Sequence, residues 1–198
     1  MRVLLPGFYA RPAELVARRL LGHLVVSTVG GRRTVGRIVE TEAYVGPHDP
    51  ASHAYGDRRT ARTETMYGPP GCAYVYFTYG MHWCLNAVTG REGYPSAVLI
   101  RALEPVSGLP TMRRRRGSVP DRLLCAGPAR LCQALGITGT LNGTTLQRGR
   151  LVIVRAARSR PSRRILTTPR IGITRATDWP LRYVFADSTV ASRPSAAR

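Results

Sequence analysis

A chain of 198 residues, of which 43% are hydrophobic, is long enough for one domain with its own core. Its formal net charge of +19 favours nucleic acid or an anionic membrane surface as a partner. No apolar run approaches the roughly 18 residues that span a bilayer, and Pro6 and Pro12 interrupt a start that lacks the apolar core of a signal peptide, so we expect a cytoplasmic protein.

The basic residues are all arginines, since the chain contains no lysine. A bias toward arginine codons explains that choice, but it does not explain the surplus of positive charge. The charge is also uneven, because residues 111–198 carry 18 arginines against 3 acidic residues. Without a lysine amine, the side chains cannot form a Schiff base with a sugar or carbonyl. A reaction on a nucleoside would therefore need water or another nucleophile.

The first part of the chain predicts one helix and a strand hairpin. Residues 12–21 place a proline in the first turn and apolar residues at helical spacing, and Gly22 follows as a stop. Residues 23–29 and 34–45 have the composition of strands, and a hairpin at Gly30-Gly31 joins them.

The rest of the chain predicts mostly short strands. A long polar loop covers residues 46–70, a length that is usually functional or disordered, and residues 111–122 predict a charged connection. A second helix opens at Gly127-Pro128 and is closed by Gly136. The remaining strands are predicted at residues 73–79, 96–103, 151–156 and 181–186, with the tight segment PRIGIT before the last of them.

The balance of elements predicts a single α+β domain over residues 1–192, with residues 193–198 as a flexible tail. Strands outnumber helices and follow hairpin-like links, so we expect a curved, mostly antiparallel sheet with peripheral helices, in the form of a partly open barrel.

The four cysteines do not indicate a metal site. Cys72, Cys84, Cys125 and Cys132 form no C-x-x-C pair. A site made from Cys72, His82 and Cys84 would have the wrong spacing for common zinc fingers. Reduced, buried thiols are the expected state, and we expect no metal.

The second predicted strand carries the most informative residues. Period two places Ile38, Glu40, Glu42 and Tyr44 on one face. Glu42 could deprotonate a water molecule that attacks an anomeric carbon and could stabilise an oxocarbenium-like transition state. The alternative is a structural salt bridge, which remains open for Glu42. For Glu40 we expect that salt bridge, to Arg37 or to a neighbouring strand.

Aromatic side chains near these acids could hold a nucleobase. Tyr44, Tyr76 and Tyr79 could stack on a base, although tyrosines on strands more often serve as core residues. Tyr79 precedes Gly80 at the tip of a predicted hairpin, where an aromatic ring is poorly buried and could wedge into a duplex. His53 could donate a hydrogen bond to a base or phosphate, or be incidental, and His48 is assigned no role.

Clusters of arginine could contact phosphates. Arg58, Arg59 and Arg62 lie in the long loop and Arg113–Arg116 form a run, although such runs are usually solvated. The helix start at Gly127–Arg130 has free amides that suit a phosphate, but most helix starts bind nothing.

Five segments, taken together, resemble the alkyladenine (3-methyladenine) DNA glycosylase family. They are GRIVETEAYVGPHDPASHA, PPGCAYVYFTYGMHWCLN, VLIRALEP, GPARLCQALGI and PRIGI. The resemblance runs from about Phe8 to Ser192. It implies a monofunctional base-excision repair enzyme that flips an alkylated or deaminated purine out of duplex DNA, hydrolyses its N-glycosidic bond and leaves an abasic site without cutting the strand.

The resemblance also implies residue roles. Glu42 matches the general base that activates water, Arg101 matches a residue that helps hold this water, and Ile171 matches a backbone carbonyl with the same task. The base pocket is lined at positions that match Tyr44, His53, Tyr76 and Asn86, the last of which helps exclude guanine. The DNA-contacting positions match the wedge Tyr79, its neighbours Met81 and His82, and Arg58, Thr60, Arg62 and Arg130.

The family implies no cofactor, no metal, damaged double-stranded DNA as partner, a monomer, and a cytoplasmic location that is nucleoid-associated in a prokaryote. His82 replaces a tyrosine of some members, the 111–122 connection is shorter and more basic, and FADSTVAS lacks a proline and an aromatic common in the closing strand.

The alternative function is a non-catalytic nucleic-acid module, which would not need Glu42. A deaminase lacks support because its zinc signature is absent.

Overall fold

One antiparallel sheet organises the protein in the computed structural model, which describes residues 2–156 and 163–192. Its strands are β1 (Leu24–Ser27), β2 (Thr34–Tyr44), β3 (Ala73–Thr78), β4 (His82–Thr89), β5 (Ser96–Ser107), β6 (Leu151–Val154), β7 (Ile165–Thr168) and β8 (Arg182–Phe185). Their order is β3-β4-β5-β2-β1-β6, while β8 pairs with β2 and with β7. The sheet is not closed, and the predicted α+β class with a mostly antiparallel sheet is confirmed.

Strand β2 is the centre of the sheet, because it pairs with β5 along one edge and with two strands along the other. Its first part, from Thr34 to Arg37, pairs with β1, and its second part, from Glu40 to Glu42, pairs with β8. The register with β5 is irregular between Ile38 and Thr41. Ile38, before this irregularity, belongs to the apolar core. Glu40 and Glu42 lie on the part of β2 that pairs with β5 on one side and with β8 on the other.

Four helices accompany the sheet in the described residues: α1 (Pro6–Tyr9), α2 (Ala13–Leu20), α3 (Leu109–Arg116) and α4 (Pro128–Leu135). Helices α2 and α4 bury an apolar stripe, represented by Val16, Leu20, Leu131 and Leu135, in the main core. Each fully buried leucine contributes about 1.5–3 kcal/mol to stability. None of the helices in the described segments has the length and apolarity needed to cross a membrane.

Strict alternation on three strands separates this core from a cavity on the other face of the sheet. The core side comprises Val75, Leu85, Val98, Ile100 and Ala102. The cavity side comprises Tyr74, Tyr76, Cys84, Asn86, Ala97, Leu99 and Arg101. Polar residues on these strands therefore face the cavity without entering the apolar core.

The prediction of a charged connection over residues 111–122 is wrong in its first half, which belongs to helix α3. Gly108, at a φ of 81°, turns the chain into this helix, and arginine is a good helix former. Met112 is buried, and the Gln133 side-chain amide on α4 donates to the Arg115 carbonyl at 2.8 Å, which docks the helix.

Some further elements were not predicted. Helix α1 and strand β7 have four residues each, too few for a clear period, and β4 mixes polar and apolar residues on its cavity side. The hairpin at Gly30-Gly31 is present as a short turn in which both glycines have positive φ. Residues 193–198, for which we predict a flexible tail, lie outside the described residues.

Candidate active site

A cavity of about 650 Å³ opens on the sheet face opposite the helices. It brings together many of the residues that the sequence singles out: Tyr44, His53, Arg58, Tyr76, Tyr79, Asn86, Arg101 and Ile171 all line it. Strands β2 to β5 form its floor, the loop after β2 forms one wall, and residues 171–175 form another. A volume of this size suits a small organic ligand.

Glu42 lies directly beneath this cavity and has no exposed surface. Its Oε1 accepts a hydrogen bond from the backbone N–H of Ile171 at 2.7 Å. Its Oε2 accepts from the Tyr44 hydroxyl and from Nη1 of Arg101, both at 3.1 Å. All three donors belong to residues that line the cavity, so the carboxylate is one contact away from it.

Two opposing influences act on the protonation of Glu42. Burial raises the pKa of its carboxyl above the usual value, because a charge is poorly solvated there. The Arg101 guanidinium is the largest influence against this rise, followed by the Ile171 N–H. A raised pKa in a ring-lined cavity is typical of functional carboxyls.

Arg101 joins the two buried acids of β2. Its Nε donates to Glu40 at 3.2 Å and its Nη1 donates to Glu42 and to the Ile171 carbonyl, the latter at 3.3 Å. Glu40 also binds Arg182 at 2.6 Å. The expected salt bridge of Glu40 to a neighbouring strand is confirmed, whereas Arg37 donates instead to the Gly22 carbonyl at 3.0 Å.

The sequence did not predict a buried ion pair that lies behind Tyr44. Arg170 donates to both carboxylate oxygens of Asp49, at 2.6 and 2.8 Å, and both side chains are fully buried. The Arg170 guanidinium lies over the Tyr44 ring, 4.8 Å from its centroid. The pair connects the loop after β2 to the Ile171 segment, so it holds two walls of the cavity together. No local pattern connects these two residues, because they are 121 residues apart in the sequence.

The opposite wall contains a group of rings. His53 and Tyr76 meet edge to face with centroids 4.6 Å apart, and Tyr74 lies 5.3 Å from Tyr76. The Tyr74 hydroxyl is 2.9 Å from Nδ1 of His53. Asn86 is buried and donates its side-chain amide to the Tyr74 carbonyl at 3.1 Å. Tyr74 was not singled out from the sequence, although it lies two residues before Tyr76 on the same face.

His53 is neutral over most of the pH range. Burial among these rings, followed by the nearby Arg62 charge, lowers its pKa to about 4, even though its edge remains exposed to the open cavity. Burial raises the pKa of the Tyr74 hydroxyl to about 12, and the nearby Arg62 charge opposes this rise. When that hydroxyl donates its proton to Nδ1 of His53, Nε2 of the neutral imidazole carries the other proton and is a donor.

The β3–β4 hairpin presents an exposed aromatic tip at the rim of the cavity. Tyr79 is 82% exposed and Met81 is 69% exposed, and His82 is also exposed. Thr78 pairs with His82, so the loop has three residues, and Tyr79 holds a strained φ of 52°. An exposed ring in a strained turn indicates a binding function better than a packing one.

The exposed arginines differ in their contacts. Arg58 lines the cavity, as does Pro128 at the start of α4. Arg130 is exposed near the same helix start, and its Nη1 donates to the Ala126 carbonyl at 3.3 Å. Thr60 bonds the Thr63 hydroxyl at 3.2 Å and so supports its own turn.

The Arg113–Arg116 run is largely structural. Arg113 pairs with Asp121 at 2.6 Å, while Arg115 donates to the carbonyls of Ala134 and Val29. Arg116 bonds the Gln133 side chain. These contacts dock α3 onto α4 and the β1–β2 turn, so the run offers less charge to DNA than its composition suggests.

The cysteines are free thiols, of which Cys84, Cys125 and Cys132 are buried. Burial raises the pKa of all four thiols, to about 12 for Cys125. Within residues 2–156 and 163–192, no group of three or more His, Cys, Asp or Glu side chains could hold a metal ion.

The protein is strongly basic, and its ring-lined cavity has a buried acid beneath it. This combination is typical of a hydrolase that acts on nucleic acid. Residues 7–189 match the family model described as methylpurine-DNA glycosylase. A protein of Carboxydothermus hydrogenoformans, named "Putative 3-methyladenine DNA glycosylase", is 46% identical over 96% of this chain and 100% of its own length. Namesakes from Rhodopseudomonas palustris and Methanoculleus marisnigri are 48% and 49% identical over 94% of this chain and over 86% and 97% of their own lengths. The chain belongs to the methylpurine-DNA glycosylase family, whose enzymes repair DNA by hydrolysing N-glycosidic bonds.

Proposed function

We propose that this protein is a monofunctional DNA glycosylase that removes alkylated and deaminated purines from duplex DNA and leaves an abasic site. The observation that carries the proposal is the position of Glu42, held by Arg101 and Ile171 beneath a cavity lined by tyrosines. The damaged nucleotide would rotate out of the duplex into this cavity, at a cost of a few kcal/mol that is smallest for damaged pairs.

The base would stack between aromatic side chains. Tyr44 and Tyr76 line the cavity from strands β2 and β3, and His53 would offer Nε2 as a donor to the base or sugar. Base–aromatic stacking is worth about 1–3 kcal/mol per base. Asn86, whose side-chain amide donates to the Tyr74 carbonyl, would contact the edge of the base and help to exclude guanine. Tyr79 would fill the gap left in the duplex.

The reaction would use one water molecule. Oε1 of Glu42 accepts a single hydrogen bond, from Ile171, so one acceptor site remains for a water that enters from the cavity. The water oxygen bonds to C1′, its proton passes to Glu42, and the electron pair of the broken N-glycosidic bond goes to the base. Arg101 keeps Glu42 available as a base by opposing the rise of its pKa. Because the chain has no lysine, no lysine-dependent strand cleavage follows.

The positively charged surface would bind the DNA backbone, with Arg58 and Arg130 exposed around the cavity. We propose that the protein acts as a monomer in the cytoplasm, on the nucleoid in a prokaryote. Phosphate contacts of this kind make binding strongly salt-dependent.

The test is Glu42→Gln, assayed on duplexes that contain 7-methylguanine, hypoxanthine or ethenoadenine, with mild alkali to reveal abasic sites. Loss of a positioned base should slow release by about 10²–10⁴-fold, while binding to the damaged duplex is retained. The matched control is Glu64→Gln, which removes an exposed acid paired only with Arg59. Release at the wild-type rate by Glu42→Gln would reject the assignment and support a binding module.

A further inference from the structure

Arg62 lies against a ring of the base pocket. Its guanidinium is 5.2 Å from the centroid of the Tyr76 ring. Tyr76 lines the cavity but Arg62 does not. The guanidinium therefore lies against the Tyr76 ring but outside the cavity in which a stacked base would sit.

Arg62 forms no ion pair with an acid among the residues that the structure describes. Arg170 is stacked on the other pocket ring, Tyr44, but its charge is paired with both oxygens of buried Asp49. The ion pairs of the described residues involve seven of the eleven acidic residues, and none of these pairs involves Arg62. Its charge also reaches the pocket, since it adds to the burial that lowers the pKa of His53 and opposes the burial that raises the pKa of Tyr74.

The charge on the base changes during bond cleavage. The electron pair of the N-glycosidic bond moves to the purine, so a cationic lesion departs neutral and a neutral lesion departs as an anion until it takes a proton from water. At every stage from binding to cleavage, the two classes of base therefore differ by one unit of charge. A fixed cation beside the pocket favours the less positive class throughout.

We propose that Arg62 is a specificity-determining residue that acts through Tyr76 to favour neutral damaged purines over cationic ones. This inference rests on the proposed function. The Arg62 charge would aid the departure of neutral bases, because the sequence offers no clear acid that could protonate them.

The size of the effect follows from the distance. A base stacked on the face of Tyr76 away from Arg62 would place its centre about 4.5–5 Å beyond the ring, so the two charges would lie about 10 Å apart. The corresponding Coulomb factor is about 2-fold in water and about 16-fold at an effective dielectric constant of 20. Removing the charge should therefore lower the preference for neutral over cationic lesions by about 2- to 16-fold.

The experiment is a competition in which one duplex carries hypoxanthine and another carries 7-methylguanine in the same reaction. The ratio of the two excision rates equals the ratio of their kcat/KM values, so losses of DNA affinity or of folded enzyme cancel. The variants are Arg62→Gln and the charge-retaining Arg62→Lys. The matched control is Arg59→Gln, in the same loop, whose guanidinium lies over Tyr67 at 4.7 Å, a ring outside the cavity.

Arg62→Gln should lower the hypoxanthine-to-7-methylguanine ratio by about 2- to 16-fold, while Arg62→Lys and Arg59→Gln keep it near the wild-type value. An unchanged ratio in Arg62→Gln, or an equal fall in Arg62→Lys, would overturn the inference and leave Arg62 as a phosphate contact or a packing residue. If the wild-type protein excised neither base, the proposed function itself would fail, which is a distinguishable result.

Discussion

Replacement of Arg101 by glutamine tests how the protein keeps Glu42 reactive. The substitution removes the hydrogen bond from Nη1 to Glu42 and the one from Nε to Glu40. Glu40 keeps Arg182 at 2.6 Å and the Ser192 N–H at 2.8 Å. Glu42 keeps only the neutral donors Ile171 and Tyr44, so it bears most of the loss.

The expected shift in the Glu42 pKa is upward by about 1–3 units, the usual effect of one adjacent opposite charge. At 1.36 kcal/mol per unit, this corresponds to about 1.4–4 kcal/mol. The value agrees with the cost of about 3–5 kcal/mol for removing one partner of a buried ion pair. Because burial already raises the pKa of Glu42, the shift adds to an existing rise.

The sign of the pH effects follows from a carboxyl whose pKa is raised on folding. Its protonated form is favoured in the folded state, so stability is highest at low pH and falls as the pH rises through the folded pKa. The stability lost in Arg101→Gln should therefore be smallest near pH 4.5 and grow toward neutral pH, as urea denaturation would show. The proposed role of Glu42 as general base requires its ionised form, so the acidic limb of the pH–rate profile should move to higher pH in Arg101→Gln.

Single-turnover excision of 7-methylguanine between pH 5 and 9 measures this limb, and Arg182→Gln serves as the control. Arg182 pairs with Glu40 but not with Glu42, so its loss should reduce stability and leave the limb close to its wild-type position. An acidic limb at the same pH in Arg101→Gln and in the wild type would refute the role of Arg101 as the counterion of Glu42.

The other predictions concern the wedge and the buried pair. Tyr79→Ala should slow single-turnover excision and weaken binding to damaged duplex without lowering the melting temperature, because the ring is 82% exposed; unchanged rate and affinity would remove the wedge role. Asp49→Ala should cost about 3–5 kcal/mol in the free energy of unfolding, because it leaves Arg170 buried and unpaired. A loss below about 1 kcal/mol in urea denaturation would show that water or another group replaces the carboxylate.

Much of the site could be predicted where the determinant is local. The two-residue period of a strand places Glu42 and Tyr44 on one face without any knowledge of the rest of the fold, and their hydrogen bond of 3.1 Å reflects this. The exposed position of Tyr79 likewise follows from a strand that meets a glycine at a turn. Motif resemblance extended these local signals to Arg101 and Ile171, which no period or spacing connects to Glu42.

Helix α3 shows why a charge run is a poor guide to function. Four successive arginines indicate a solvated or DNA-binding segment, yet Arg113, Arg115 and Arg116 find partners on other elements. Whether an arginine binds a phosphate or a carbonyl depends on what packs beside it, which composition does not contain.

By itself, the sequence determined the charge of the protein, the antiparallel α+β architecture and the alternation that separates the core from the cavity, because these depend on composition and on neighbours along the chain. Only the tertiary structure decided which residues from distant parts of the chain come into contact. Ile171 reaches Glu42 across 129 residues and Arg170 reaches Asp49 across 121. Arg62 lies over Tyr76 because a loop folds back on a strand. Electrostatic energies depend on such distances and on burial, so the protonation of Glu42 and the proposed charge preference of the pocket are properties of the folded chain.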